Sequence, residues 1–303
     1  MNLQQLRYVV EVARTGSITQ AARNLYMGQP NLSKSIKELE SEVGISLFRR
    51  TAKGVVPTKA GEDFLAYARS ITAQMDTLEH LYGGSQAQVQ RLRAAAPRAS
   101  YVSAAFARCA GRLASGTELD YRELTATEVV RAVASGTSGV GVLRYQEAHK
   151  AYFESLCAEN HLRTEPLWRF SMVVLMSEEH PLAALSPVPY HLLAQYPQLV
   201  HGDLTPVLPP DEPAPAASEQ AGAASICVYD RASQFDLLRS VPGSYMWVSP
   251  VPFDTLAREG LVQKPCRSGN VYCDALISRA RLTDVEQSFV AALKEEIAML
   301  PSE

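Results

Sequence analysis

The chain has 303 residues, enough for two or three domains, and its 47% apolar and 20% charged content is that of a folded protein and argues against global disorder. No run reaches the ~18 uninterrupted apolar residues of a membrane span, MNLQQLRYVVEVARTG carries no secretory leader pattern, and five scattered cysteines (Cys109, Cys157, Cys227, Cys266, Cys273) suit a reducing cytoplasm rather than a disulfide framework. The net charge of −3 conceals an asymmetry: residues 1–60 hold nine Lys/Arg against four Glu while the remainder is acidic, so a basic head that meets a polyanion is expected on an acidic body.

Residues 1–57 read as short helices with tight punctuation. Leu3, Leu6, Val9, Val10 and Ala13 recur at helical spacing behind an Asn2/Gln5 cap, and Gly16 ends that helix. Ser17 with Gln20 forms a capping-box pattern ahead of Ile18, Ala21, Ala22 and Leu25. Gly28 allows a turn, Pro30 suits a first helical turn, and Leu32, Ile36, Leu39 and Val43 form the inward stripe of a third helix that Gly44 stops. Two helices across a Gly-containing turn make a helix-turn-helix, and residues 47–58 (LFRRTAKGVVPT) read as a hairpin, a wing, with Lys53-Gly54 at its tip.

Thr58 caps a long helix that Gly83-Gly84 stop. Phe64, Ala68, Ile71, Met75, Leu78 and Tyr82 follow alternating spacings of four and three, a heptad seam about 37 Å long. Its period is nearer 3.5 than 3.6, which favours a dimer seam over a helix packed only on its own domain. A hinge is expected at 85–91. Beyond it, 92–96, 119–124, 139–143, 170–176, 197–201, 225–229, 245–248 and 270–277 read as strands. They alternate with helical stretches at 101–115, 127–135, 188–195, 232–240, 251–259 and 283–299. That alternation predicts a mainly parallel α/β body with two lobes, and the Pro/Ala-rich 207–224 reads as a surface excursion. The domains expected are thus a winged helix-turn-helix at 1–58, a linker helix at 59–84, and a body at 92–303. Lobe I would take about 92–163 and 269–303, and lobe II about 164–268.

The run GQPNLSKSIKELE (28–40), with SITQAA (17–22) before it and GISLFRRT (44–51) and PTKAG (57–61) after it, closely resembles the LysR-type transcriptional regulators. EHPLA (179–183) and LAREGLV (256–262) look like landmarks of that family's effector domain. The resemblance implies a winged-helix head, a dimerising linker helix and a two-lobed body like a periplasmic binding protein. It also implies a homodimer or homotetramer that binds double-stranded promoter DNA and senses a small molecule. The family usually has Ser or Thr where Gly28 stands. As a cap, Gly costs only a few tenths of a kcal/mol against Ser, but it removes a hydroxyl from the DNA side.

The resemblance makes Gln29, Pro30, Ser33 and Lys34 DNA contacts. Helix geometry adds Asn31 and Lys37 on the outward face, where amides pair with adenine and cations with guanine or phosphate. Arg50, Thr51 and Lys53 on the wing suit the minor groove. In the body, ligands of a two-lobed α/β fold sit where strands end and helices begin. The residues at such junctions are Arg98, Ser100, Tyr101, Thr125, Thr127, His201, Asp203, Tyr245 and Ser249, and they predict a polar, anionic effector. Capping is the competing role for Ser100 and Thr127. No nucleophile elbow, phosphate loop or HExxH is present, and the six His do not share metal spacing with Cys. No cofactor, no metal, no catalysis and no membrane partner are therefore expected, and the thiols are expected to be inert. The rival readings are an α/β enzyme or solute-binding protein with a fused helical head, and an architectural DNA binder without an effector.

Overall fold

The computed structural model describes residues 1–51, 54–82, 90–113, 116–202, 224–266, 271–279 and 281–300. The chain divides into an N-terminal and a C-terminal unit. The first contains α1 (Leu3–Thr15), α2 (Ile18–Asn24), α3 (Gln29–Val43), the antiparallel pair β1 (Phe48–Thr51) and β2 (Gly54–Pro57), and α4 (Lys59–Tyr82).

Local chemistry sets these boundaries. Asn2 and Gln5 cap α1 reciprocally. Gly16 ends it at φ 63°, a conformation that glycine adopts without steric cost, and its carbonyl accepts the Val55 N–H at 2.8 Å, which ties the hairpin to α1. Ser17 makes only half of the expected capping box. It accepts from the Gln20 N–H, while the Gln20 side chain turns forward to Asn24. Leu6, Val9, Val12, Ala21, Ala22, Leu32, Ile36, Leu39 and Leu47 form one core. Glu40 holds the start of the wing by accepting the Leu47 and Phe48 N–H groups at 2.6 and 3.2 Å. Thr58 caps α4 by accepting from the Gly61 N–H at 2.9 Å. Gly61 itself lies against Leu47, whose carbonyl oxygen would sit 2.0 Å from any Cβ placed there.

The C-terminal unit has two five-stranded sheets. The first takes β3 (Arg91–Ala96), β4 (Glu118–Glu123), β5 (Val140–Gln146), β6 (Arg163–Ser171) and β12 (Val271–Ser278), in the order β4-β3-β5-β12-β6. Its helices are α5 (Ser100–Arg112), α6 (Ala126–Ala134), α7 (Lys150–Glu159) and α11 (Asp284–Ala298). The second sheet takes β7 (Val173–Ser177), β8 (Gln198–His201), β9 (Ser225–Val228), β10 (Tyr245–Val248) and β11 (Leu261–Pro265), in the order β11-β7-β10-β8-β9. Its helices are α8 (Tyr190–Leu193), α9 (Ala232–Ser240) and α10 (Phe253–Glu259).

Three expectations need correction. The pairing in the body is not mainly parallel: in each sheet two of the four strand pairings are parallel and two antiparallel, because one strand, β12 in the first sheet and β7 in the second, runs against the other four. The run 170–176 is not one strand. It breaks at Met172, with β6 pairing to β12 in one sheet and β7 to β10 and β11 in the other, so the chain crosses between lobes later than residue 164. And α7 and β11 have no counterpart in the sequence reading. The run is continuous in hydrophobicity because β7 is buried on both faces. Leu175 joins the cluster with Met246 and Leu238, and Val174 and Met176 join the opposite one with Leu182 and Leu193.

The EHPLA landmark has a structural role. His180 is buried, its Nδ1 accepts the Leu182 N–H at 2.9 Å, and its Nε2 therefore donates to the Gly243 carbonyl at 2.8 Å. Burial holds this imidazole below its ordinary value of 6.5. Above that pH both folded and unfolded chains are neutral here. As pH falls through it, the unfolded chain takes a proton that the folded chain resists, so stability drops. The urea midpoint of the C-terminal unit is expected to decline below about pH 6.5, and more steeply in the wild type than in His180→Gln. Parallel declines would exclude His180 as the source.

Candidate nucleic-acid interface and ligand cleft

On α3, the buried stripe Leu32, Ile36 and Leu39 turns Gln29, Pro30, Asn31, Lys34 and Lys37 outward, with Ser33 half-buried between them. Gln29, Pro30, Ser33, Lys34 and Lys37 share an open surface of α3 with Glu38, Ser41 and Glu42. Gly28 gives the helix start no side-chain cap. Lys34 lies 3.8 Å from Glu38, an exposed pair that holds the amine only weakly. Arg49 and Arg50 are exposed on β1. Thr51 departs from expectation, since its hydroxyl donates to the Gly54 carbonyl at 3.1 Å and so braces the hairpin. Lys53 lies outside the described residues.

One feature of this face was not read from the sequence. Tyr26, in the turn before α3, is 98% exposed at φ 53°. A left-handed tyrosine displayed to solvent adds nothing to the core.

The seam on α4 is divided. Ala68 is buried in the head's own core together with Leu65, and Phe64 packs against that core, so the first turns serve the head rather than a partner. Further along, Ile71 is 43% and Leu78 51% exposed, and Met75 is half-buried. The Tyr82 side chain lies outside the described residues.

In the C-terminal unit the predicted ligand residues separate into three groups. Two face the space between the sheets. Ser100 opens α5, where Ala99 and not Ser100 is the cap residue, and its Oγ accepts from Arg231 Nη2 at 3.0 Å. Arg98 Nη2 donates to the Tyr229 carbonyl at 3.4 Å, and its Nε lies 3.9 Å from Glu123. A second group closes helix ends or strand ends. Thr125 donates both its N–H and its hydroxyl to Glu128, Thr127 is half-buried in the first turn of α6, and His201 ends β8 half-buried.

A third group is core, which corrects the expectation for it. The Tyr101 hydroxyl is buried and donates to Asp274, which also accepts a bidentate pair from Arg144 Nε and Nη2 at 2.8 and 2.7 Å. Tyr245 is buried among Val174, Met176, Leu182 and Leu193, and that burial pushes its phenol up to about 12. Ser249 is buried too. Asp203 lies outside the described residues.

Sequence reasoning missed Glu123 and Arg231. They stand at the same kind of junction, the end of β4 and the start of α9, and no local sequence pattern marks them. Arg231 Nη1 pairs with Glu123 Oε1. The Tyr121 hydroxyl donates to the same oxygen at 3.4 Å. Burial first, then the carboxylate, hold that phenol far above its ordinary value, so it remains a donor. Cys109, Cys157 and Cys266 are buried, and burial pushes the Cys157 thiol up to about 11, which makes it a poor nucleophile. Among the described residues, no helix is long and apolar enough to cross a membrane.

Residues 3–62 match the family described as bacterial regulatory helix-turn-helix protein, lysR family, and residues 85–221 match the LysR substrate binding domain. The chain is 29% identical over 209 residues to the HTH-type transcriptional regulator CysB of Burkholderia cenocepacia, covering 67% of this chain and 64% of that one. It is 39% identical over 94 residues to the RuBisCO operon transcriptional regulator of Allochromatium vinosum, covering 30% and 31%. The chain therefore spans less than two thirds of the length of these curated relatives. Among solved structures, a full-length OxyR variant from Pseudomonas aeruginosa shares the fold, with a TM-score of 0.67, 22% identity and 99% of each chain covered.

Proposed function

The chain belongs to the LysR family of bacterial regulatory helix-turn-helix proteins, and from that premise we propose that it binds promoter DNA as a homodimer or homotetramer and responds to a small anionic effector. In this reading α3 enters the major groove, Arg50 on the wing reaches the minor groove or its phosphates, and the exposed half of α4 pairs with a second copy. The effector enters between the two sheets of the C-terminal unit, near Arg98, Ser100, Thr127 and Arg231. The protein acts in the cytoplasm and catalyses no reaction of its own.

The observation that carries this reading is the outward row on α3. Two amides and two amines, Gln29, Asn31, Lys34 and Lys37, are exposed on the helix whose buried stripe is Leu32, Ile36 and Leu39. Amides in that position read adenine edges, and amines read guanine or phosphate.

Gln29→Ala is expected to cost about 1–3 kcal/mol at the specific site and to relax base preference there. Arg50→Ala is expected to weaken all sequences alike and to flatten the salt dependence by about one counterion. Footprint titrations at several salt concentrations separate the two effects. An unchanged base preference in Gln29→Ala would remove it from base reading, and failure of the wild type to protect any promoter fragment would overturn the proposed function.

A further inference from the structure

Glu123 ends β4 in one lobe and Arg231 immediately precedes α9 in the other, 108 residues apart in sequence, and the two side chains meet between the lobes. Around the Glu123 carboxylate the chain gathers donors. Arg231 Nη1 pairs with Oε1, Arg98 Nε lies 3.9 Å from Oε2, and the Tyr121 hydroxyl reaches Oε1 at 3.4 Å. Arg231 Nη2 donates to Ser100 Oγ at 3.0 Å, at the start of an α5 that has no side-chain cap. The side chains are largely out of water: Arg98 is 15%, Glu123 17% and Arg231 23% exposed. Asp230, the neighbouring acid, is occupied by the backbone and hydroxyl of Ser233.

Without the Glu123 carboxylate, what remains is an anion site: two guanidiniums, two hydroxyls and a helix start. We infer that Glu123 is a resident counter-ion filling the anion subsite of the effector cleft, and that the effector carries a carboxylate that takes its place against Arg231 and Arg98. This rests on the reading of the cleft as the effector site.

The chemistry favours a carboxylate because the exchange is like for like. The charge-assisted bonds to the guanidiniums are kept, and neither cation is left buried and unpaired. A neutral ligand gains nothing by displacing Glu123, and a cation meets two positive charges. Release of Glu123 breaks its ion pair with Arg231, one of the contacts between the lobes, so effector binding is coupled to the contacts that hold the lobes together. An internal competitor also sets a threshold, since the free carboxylate must outbid one already tethered at high effective concentration.

Propionate, which reproduces the Glu side chain from its Cβ outward, tests this on the full-length chain. At about 100 mM it is expected to raise the melting temperature of Glu123→Ala by about 3–6 °C. The wild type, whose site is already filled, is expected to move by under about 1 °C. Propionamide and sodium chloride at the same concentration are expected to do neither, and Glu123→Ala/Arg231→Ala is expected to lose the response. Glu123→Gln keeps the shape of the site without its charge and is expected to respond in the same direction, so it serves if the alanine variant does not fold.

An equal response in wild type and both variants, or an equal effect of propionamide, would overturn the inference. Promoter binding measured on the same samples separates the two levels. Intact DNA binding without propionate rescue overturns the counter-ion alone, whereas absence of DNA binding by the wild type overturns the wider reading.

Discussion

Asp274→Ala is expected to cost the C-terminal unit about 3–5 kcal/mol, the price of leaving a buried charge without its partner. Asp274 lies on β12, the strand between β5 and β6, and its side chain is fully buried. It accepts two parallel bonds from Arg144 and a third from Tyr101. Arg144 is itself largely buried, and its guanidinium lies over the Phe170 ring at 4.8 Å from the centroid. Removing the carboxylate strands this cation in an apolar layer where Trp168 stacks on Phe170 at 4.4 Å. It also takes the acceptor from a buried phenol. Urea unfolding followed by tryptophan fluorescence measures the loss, because Trp168 and Trp247 both belong to this unit.

The double variant Asp274→Leu/Arg144→Met is expected to be milder than Asp274→Ala, since replacing both charges removes the uncompensated one. A single-variant loss below about 1 kcal/mol, or a double variant worse than the single, would show that the pair is effectively solvated.

Ile71→Asp and Leu78→Asp are expected to abolish dimer formation and specific promoter binding together. Both side chains are large, apolar and exposed on the part of α4 beyond the head's core. A carboxylate in a helix–helix seam loses water without gaining a partner. A monomer engages one half-site alone, so loss of the linked second site is expected to lower apparent affinity by about 10²–10⁴-fold. The head keeps its fold in these variants, because Leu65 and Ala68 supply the packing of α4 on its own domain. Leu65→Ala provides the contrast: it is expected to destabilise the head by about 2–5 kcal/mol. Light scattering and footprinting on the same preparations decide the matter. Dimers of undiminished stability in both aspartate variants would exclude α4 as the principal contact.

The helical head was legible in the sequence because its signals are local. Gly16 and Gly44 are read as stops and adopt left-handed φ values of 63° and 73° at helix ends. The 4-3 spacing of Leu32, Ile36 and Leu39 settles which face of α3 is inward, and with it which residues face out. The strands of the body were mostly legible too, since a buried strand shows as an apolar run. Their partners were not. Nothing within 170–176 marks Met172 as the point where one sheet ends and the other begins, because β7 is buried on both faces and shows no alternation that would set it apart from the end of β6.

The ligand cleft shows the same division more sharply. Strand-to-helix junctions are visible as places in the chain, but a junction residue turns to the cleft or to the core according to what meets it there. Tyr101 turns inward because Asp274, 173 residues away, offers an acceptor within the core. Ser100, its neighbour, faces Arg231, 131 residues away. Periodicity and capping act over one or two helical turns, so the sequence is sufficient for them. The role of a buried charge depends on its counter-charge, and only the packing of distant strands brings the two together.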